Sequence, residues 1–201
     1  MRKADMTGGA VLQQLPNSLT FLRLLLAVPL GICILREAYP LALLVGLAAG
    51  VSDGLDGFFA RRLQAQSRLG AILDPVADKT LITVSFLCFA AVELVPWYLA
   101  IIVILRDLVI IAGAISYRLI FGPFEFAATA LSKGNMFVQI SFCLLVLLAQ
   151  VVADIPPWSL VAGAQLVIFL TVVSGVDYVW RWTVRALQTN KRTGQHPRRR
   201  E

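Results

Sequence analysis

Apolar residues in this chain run in long stretches separated by short polar segments. Six stretches stand out, at roughly 18–36, 40–61, 70–92, 97–119, 134–152 and 158–180. Each approaches or exceeds the ~20 mostly apolar residues that an α-helix needs to cross a bilayer. None shows the strict alternation over about ten residues that marks a membrane β-strand, which excludes a porin-like barrel. The pattern predicts an all-α integral membrane protein with six transmembrane helices. The first stretch carries Arg23 and has no small-x-small cleavage site before Pro40, so it reads as a retained helix and not as a secretory signal.

Composition agrees with the pattern. The 201 residues are 58% hydrophobic and only 15% charged, with a mean hydropathy of +0.77. Soluble domains carry about 25% charged residues, so a soluble enzyme and a disordered chain are both excluded. Six spans use most of the length and leave no room for a second domain. The expected division is a cytoplasmic N-terminal segment at 1–17, a six-helix catalytic domain at 18–185, and a basic tail at 186–201.

Charge sets the orientation. Of eighteen Lys and Arg residues, fourteen fall on one side of such a bundle, among them Arg2, Lys3, Arg61, Arg62, Arg68, Arg118, Lys133 and the run from Arg181 to Arg200. Only Arg36 falls on the other side, while Arg23, Lys79 and Arg106 lie inside spans. By the positive-inside rule both termini are cytoplasmic. A multi-pass protein of the inner (cytoplasmic) membrane is expected. The basic tail follows a span directly, so anionic lipid headgroups are its expected partner and nucleic acid is not. Cys33, Cys88 and Cys143 fall in three different spans and form no metal-type pair.

The segment from Val51 to Thr80 contains Asp53, Asp56, Asp74 and Asp78, a third of the twelve acidic residues. An Asp at the centre of a bilayer costs about 2.5–3.5 kcal/mol, so four of them need compensation. Asp53 and Asp56 are spaced i,i+3 and share one face of the second span. Asp74 and Asp78 are spaced i,i+4 and share one face of the third. The short polar connection around Gln64–Arg68 makes these spans antiparallel neighbours, and the two pairs can face each other across one cleft. Oxygen ligands without nearby Cys or His suit hard divalent cations, and four carboxylates suffice for a two-metal site. Gly54, Gly57, Ala60 and Gly70 clear one surface for a ligand, or else serve close helix packing. Arg61 has the planar fork that pairs with a diphosphate.

The stretch Asp53-x2-Asp56-Gly57-x2-Ala60-Arg61-x8-Gly70-x3-Asp74-x3-Asp78 resembles the signature of the CDP-alcohol phosphatidyltransferases at all eight positions. Leu15–Arg23 (LPNSLTFLR) and Leu73–Lys79 (LDPVADK) look like the branch that makes phosphatidylglycerol phosphate or cardiolipin. Arg106-Asp107 and Ser132–Gln139 match weaker features of that branch, with Met136 where it usually has Thr. The resemblance implies six membrane helices around a polar cavity open to the cytoplasm, often in a homodimer. It implies that a hydroxyl attacks the β-phosphorus of CDP-diacylglycerol and that CMP leaves. It assigns Asp53, Asp56 and Asp74 to two divalent cations, Mg²⁺ or Mn²⁺, and makes Asp78 the general base as well as a metal contact. Gly57, Ala60, Arg61 and Gly70 would form the nucleotide and diphosphate site.

Arg106 and Lys133 admit two readings. Buried cations need partners, and Asp107 or an Asp of the cluster would supply one. Alternatively they bind the phosphate of the acceptor. Glycerol 3-phosphate and phosphatidylglycerol both carry one. The first reading is a phosphatidylglycerophosphate synthase using glycerol 3-phosphate, and the alternative is a cardiolipin synthase using phosphatidylglycerol. From another class, a cation transporter could use the Asp cluster as an ion path, but these residues sit at one membrane end and form no relay across it. A non-catalytic partner would usually have lost a motif residue, and all eight are present.

Overall fold

The computed structural model describes residues 24–63, 68–121 and 130–194, with the backbone alone at 53–63, 68–78, 114, 117–121, 130 and 185–194. Among the described residues there are six helices and no strand. They are α1, described over Leu24–Leu35, and α2 (Tyr39–Leu63), α3 (Arg68–Ala91), α4 (Trp97–Phe121), α5 (Ala130–Val151) and α6 (Pro157–Gly194). Four of the six expected spans, the second to the fifth, coincide with α2 to α5 to within a few residues; the first residues of the opening span lie outside the described ones. Two stretches among the described residues, Leu131–Val151 and Pro157–Val184, are long and apolar enough to cross a membrane.

The sixth helix differs from expectation. It ends at Gly194, not near residue 180. The apolar run stops there, but no residue from Arg181 to Thr193 breaks a helix. Glycine at the end and Pro197 just beyond are ordinary stop signals. Arg181 Nε donates to both carboxylate oxygens of Asp177, at 2.8 and 2.9 Å, one turn earlier. Thr183 Oγ1 donates to the Val179 carbonyl at 2.9 Å. At 1.5 Å per residue the helix is about 57 Å long.

α1 and α3 end in the same way. The Ala38 amide donates to the Cys33 carbonyl (2.9 Å) and the Glu37 amide to Ile34 (3.0 Å). After α3, Leu94 donates to Phe89 (2.9 Å) and Glu93 to Ala90 (3.2 Å). This paired bonding is a Schellman motif, which needs a left-handed residue at its centre. Glu37 and Glu93 supply it, with φ of 57° and 60°. A side chain there costs about 1 kcal/mol or more, and a negative charge at a helix C-terminus a further 0.3–1 kcal/mol or so. The flexibility that glycine adds to the unfolded chain takes back at most about 1 kcal/mol. Glu93→Gly is therefore expected to stabilise the protein by about 0.5–1 kcal/mol, read as a rise in Tm in detergent.

The core is one buried cluster to which all six helices contribute, centred on α3. Phe86, Phe89, Leu99, Val103 and Val146 are fully buried. The rings of Phe86 and Phe142 stack with centroids 6.1 Å apart. α6 closes on this core through Gly163, where an added Cβ would lie 2.7 Å from the Phe142 ring. Replacing Gly by Ala inside a helix gains about 1 kcal/mol, while overpacking costs about 1–3 kcal/mol. The Phe142 ring is held by Phe86 and cannot swing aside. Gly163→Ala is therefore expected to lower Tm, and a rise would show that the two helices can separate freely.

The outside of the bundle is as apolar as the inside. Val28, Leu44, Phe169 and Val176 are each more than 60% exposed. Large apolar residues exposed in this number mark a surface that meets lipid or another protein. Trp158 and Trp180 are both 70% exposed on α6, and their backbones stand about 33 Å apart along the helix.

Candidate active site

The eight signature residues all fall on helical backbone. Asp53, Asp56, Gly57, Ala60 and Arg61 lie in the second half of α2, while Gly70, Asp74 and Asp78 lie in the first half of α3. At 100° per residue, Asp53 and Asp56 therefore share a face of α2, and Asp74 and Asp78 share a face of α3. Both sets sit at the bundle end away from the turns after α1 and α3. The side chains of all eight lie outside the described residues, and so does the expected facing of the two Asp pairs across a cleft.

The donor set can be judged by its chemistry. Four carboxylates within 26 residues, at helical spacing on two consecutive helices, offer oxygen ligands only. That composition fits Mg²⁺ or Mn²⁺ and does not fit zinc.

Immediately beyond Asp78 the side chains are described, and they form a buried polar network across four helices. Lys79 Nζ on α3 lies 3.3 Å from Asp107 Oδ1 on α4. The same oxygen accepts from Arg106 Nη1 at 2.6 Å. Arg106 Nη2 donates to Ser132 Oγ on α5 at 2.8 Å, and Arg106 Nε to Ser174 Oγ on α6 at 3.0 Å. Ser174 in turn donates to the Thr171 carbonyl at 3.5 Å. Gln139 Nε2 donates to Thr171 Oγ1 (3.2 Å), which donates to Asn135 Oδ1 (3.1 Å). Asn135, Gln139, Thr171 and Ser174 are all buried. The Arg106 and Asp107 side chains are 9% and 10% exposed.

Arg106 is thus paired with Asp107, one of the two roles its sequence context allowed. Three of its five N–H donors are used in this network, which leaves two for an anion. Lys133 stands apart: it is exposed in the first turn of α5 and has no ion-pair partner among the described residues. The trio of Lys79, Asp107 and Arg106 carries one unneutralised positive charge. That excess favours an anion nearby.

Sequence reasoning singled out Arg106 and Asp107, and Ser132–Gln139 as a branch feature, but missed that Ser132, Asn135 and Gln139 join Thr171 and Ser174 in one polar stripe. Ser132, Asn135 and Gln139 recur at i, i+3 and i+7 on α5, and Thr171 and Ser174 at i and i+3 on α6. That one-faced spacing was the available signal. Next to the network, α4 and α6 leave an open apolar groove of about 510 Å³, walled by Leu105, Arg106, Val109, Gly175, Val176 and Trp180 among others.

Known proteins were compared with the chain. A rat protein named cardiolipin synthase (CMP-forming) is 42% identical over 105 residues, which is 52% of this chain and 35% of that protein. The chain thus spans about a third of that relative's length. A Bacillus subtilis protein named CDP-diacylglycerol–glycerol-3-phosphate 3-phosphatidyltransferase is 30% identical over 183 residues, 82% of this chain and 92% of that protein. A Mycobacterium bovis protein named putative cardiolipin synthase is 31% identical over 187 residues, covering 91% of this chain and 86% of that one. The family model for CDP-alcohol phosphatidyltransferase matches residues 13–176, a region that includes all eight signature residues and the whole network behind them, and the chain belongs to that family.

Proposed function

We propose that this protein transfers a phosphatidyl group from CDP-diacylglycerol to glycerol 3-phosphate, releasing CMP. The observation that carries this reading is the complete eight-residue signature on α2 and α3 within a family match of 164 residues. Family members are membrane-embedded and generally depend on divalent metal.

Asp53, Asp56, Asp74 and Asp78 hold two divalent cations, Mg²⁺ or Mn²⁺. When bound, these neutralise the diphosphate and stabilise departing CMP. Gly57, Ala60 and Gly70 leave space along the helix surface for the nucleotide, and Arg61 pairs with the diphosphate. The two free donors of Arg106, with Lys133, hold the acceptor phosphate. Asp78 takes the proton of the acceptor hydroxyl. The hydroxyl oxygen then bonds to the β-phosphorus, the bond from that phosphorus to the CMP oxygen breaks, and CMP leaves with the electron pair.

The bundle spans the membrane six times with both termini cytoplasmic. Fourteen of eighteen basic residues on one side support this orientation. The two exposed tryptophans of α6 support a crossing by that helix, because their spacing of about 33 Å matches a hydrocarbon core of about 30 Å. The catalytic unit is residues 18–185. Past Trp180, α6 leaves the bilayer as a basic helix that rests on anionic headgroups. A homodimer is the assembly that the family resemblance implies.

Phosphatidylglycerol is the second acceptor to test, because the rat relative at 42% identity is named a cardiolipin synthase. Purified protein would be given Mg²⁺ or Mn²⁺ and CDP-diacylglycerol, with glycerol 3-phosphate in one tube and phosphatidylglycerol in another. Phosphatidylglycerol phosphate in the first tube, identified by mass, is expected. Cardiolipin in the second alone would replace the acceptor, and CMP release in neither would remove the function.

A further inference from the structure

We infer that Asp107 is a positioning residue that couples the carboxylate-bearing helix α3 to the acceptor cation Arg106. The inference rests on the phosphatidyltransferase reading above. It names a role for two residues, Lys79 and Asp107, that lie outside the eight-residue signature.

Asp107 Oδ1 accepts from Lys79 at 3.3 Å and from Arg106 at 2.6 Å. Lys79 is on α3, directly after Asp78. Arg106 reaches Ser132 on α5 and Ser174 on α6. A single carboxylate therefore ties α3 to a guanidinium that is itself fixed to the other two helices. The pair is local on neither side: Lys79 and Asp107 are 28 residues apart in sequence, and Arg106 and Ser174 are 68 apart.

This tie sets how α3 is turned about its axis. Below Lys79 the helix carries Asp74 and Asp78, and Asp78 lies 100° around the helix from Lys79. A rotation of about 10° moves an atom ~6 Å from a helix axis by about 1 Å, and a misplacement of that size can cost about 10²-fold in rate. Above Lys79, α3 is gripped by the core at Ile82, Phe86 and Phe89. Packing fixes that upper half, and the Lys79–Asp107 pair carries the constraint down to the end of α3 that bears the carboxylates. The second effect is electrical. Two cations share one carboxylate, so Asp107 holds both in place while leaving net positive charge for an anionic substrate.

The test uses the full-length protein in detergent with CDP-diacylglycerol and the acceptor that the wild type accepts. The variants are Lys79→Met, Lys79→Arg, Asp107→Asn, and the double change of Lys79→Met with Asp107→Asn. Lys79→Met is expected to lower kcat about 10²-fold with KM for the acceptor unchanged. Asp107→Asn is expected to lower kcat as much and also to raise the acceptor KM, because Arg106 keeps its serine partners but loses the one charge that holds its Nη1. The double variant should be no slower than Asp107→Asn, and Lys79→Arg should recover most of the rate. Mn²⁺ affinity, measured by calorimetry without substrate, should weaken by about 10-fold or more in both single variants, as for other groups that support metal ligands. A kcat within twofold of wild type in Lys79→Met, multiplying losses in the double variant, or an unchanged Mn²⁺ affinity overturns the inference. Should Asp107→Asn fail to fold, the Lys79→Met and Lys79→Arg pair decides, since Lys79 is 31% exposed and its loss leaves the Arg106–Asp107 pair intact. A wild type that releases no CMP with either acceptor defeats the parent reading instead, which keeps the two failures distinct.

Discussion

Asp78→Asn is expected to reduce CMP release by about 10²–10⁴-fold, the contribution of a well-placed general base, with no loss of thermal stability. Asn matches Asp in shape but cannot take the proton of an acceptor hydroxyl. The stability half of this expectation makes the test specific. Asp53, Asp56, Asp74 and Asp78 fall within 26 residues on two helices. Without metal, their negative charges repel and their desolvation is costly. Removing one charge relieves both terms, so the metal-free variant should melt at the same temperature as the wild type or higher. A variant that loses both activity and stability would place Asp78 among structural groups. A fully active Asp78→Asn protein would remove it as the base.

The second large effect concerns metal. Chelation with EDTA is expected to abolish CMP release, and added Mg²⁺ or Mn²⁺ to restore it. Asp56→Asn should remain inactive at metal concentrations that saturate the wild type. Changes to groups that merely support metal ligands cost about 10–100-fold in affinity, so loss of a ligand should cost at least that much. Metal that binds only the folded state also raises Tm, by about 2.7 kcal/mol of stability at one hundred times its Kd. The wild type should show that rise with Mn²⁺, and Asp56→Asn should show much less of it at the same concentration. An Asp56→Asn protein with normal activity would remove the phosphatidyltransferase assignment.

The regular parts of this protein were legible because their physics is local. A membrane helix must satisfy its own backbone and present about 20 apolar residues, so helix positions followed from composition along the chain. The signature was legible for a related reason: carboxylates three and four apart share a helix face wherever the helix sits. The ends of the helices were less so. α6 continues to Gly194 because a helix ends where its backbone is capped, whereas the sequence reading ended it where apolarity stopped. Glu37 and Glu93 take the left-handed positions after α1 and α3, where local preference favours glycine; the tight return of the chain at those turns overrides that preference.

By itself the sequence determined the all-helical class, the family, the positions of the carboxylates along α2 and α3, and the distribution of basic residues along the chain. Only the tertiary structure decided what holds Arg106. Its partners Ser132 and Ser174 come from helices 26 and 68 residues away, and the spacing of polar residues along one helix does not say which side chain of another they will meet. The same holds for Lys79 and Asp107, which meet across 28 residues. Periodicity says which face of a helix a residue occupies, but the neighbour that face meets is set by packing, through rotations and close approaches such as Gly163 against Phe142 that depend on all the helices at once.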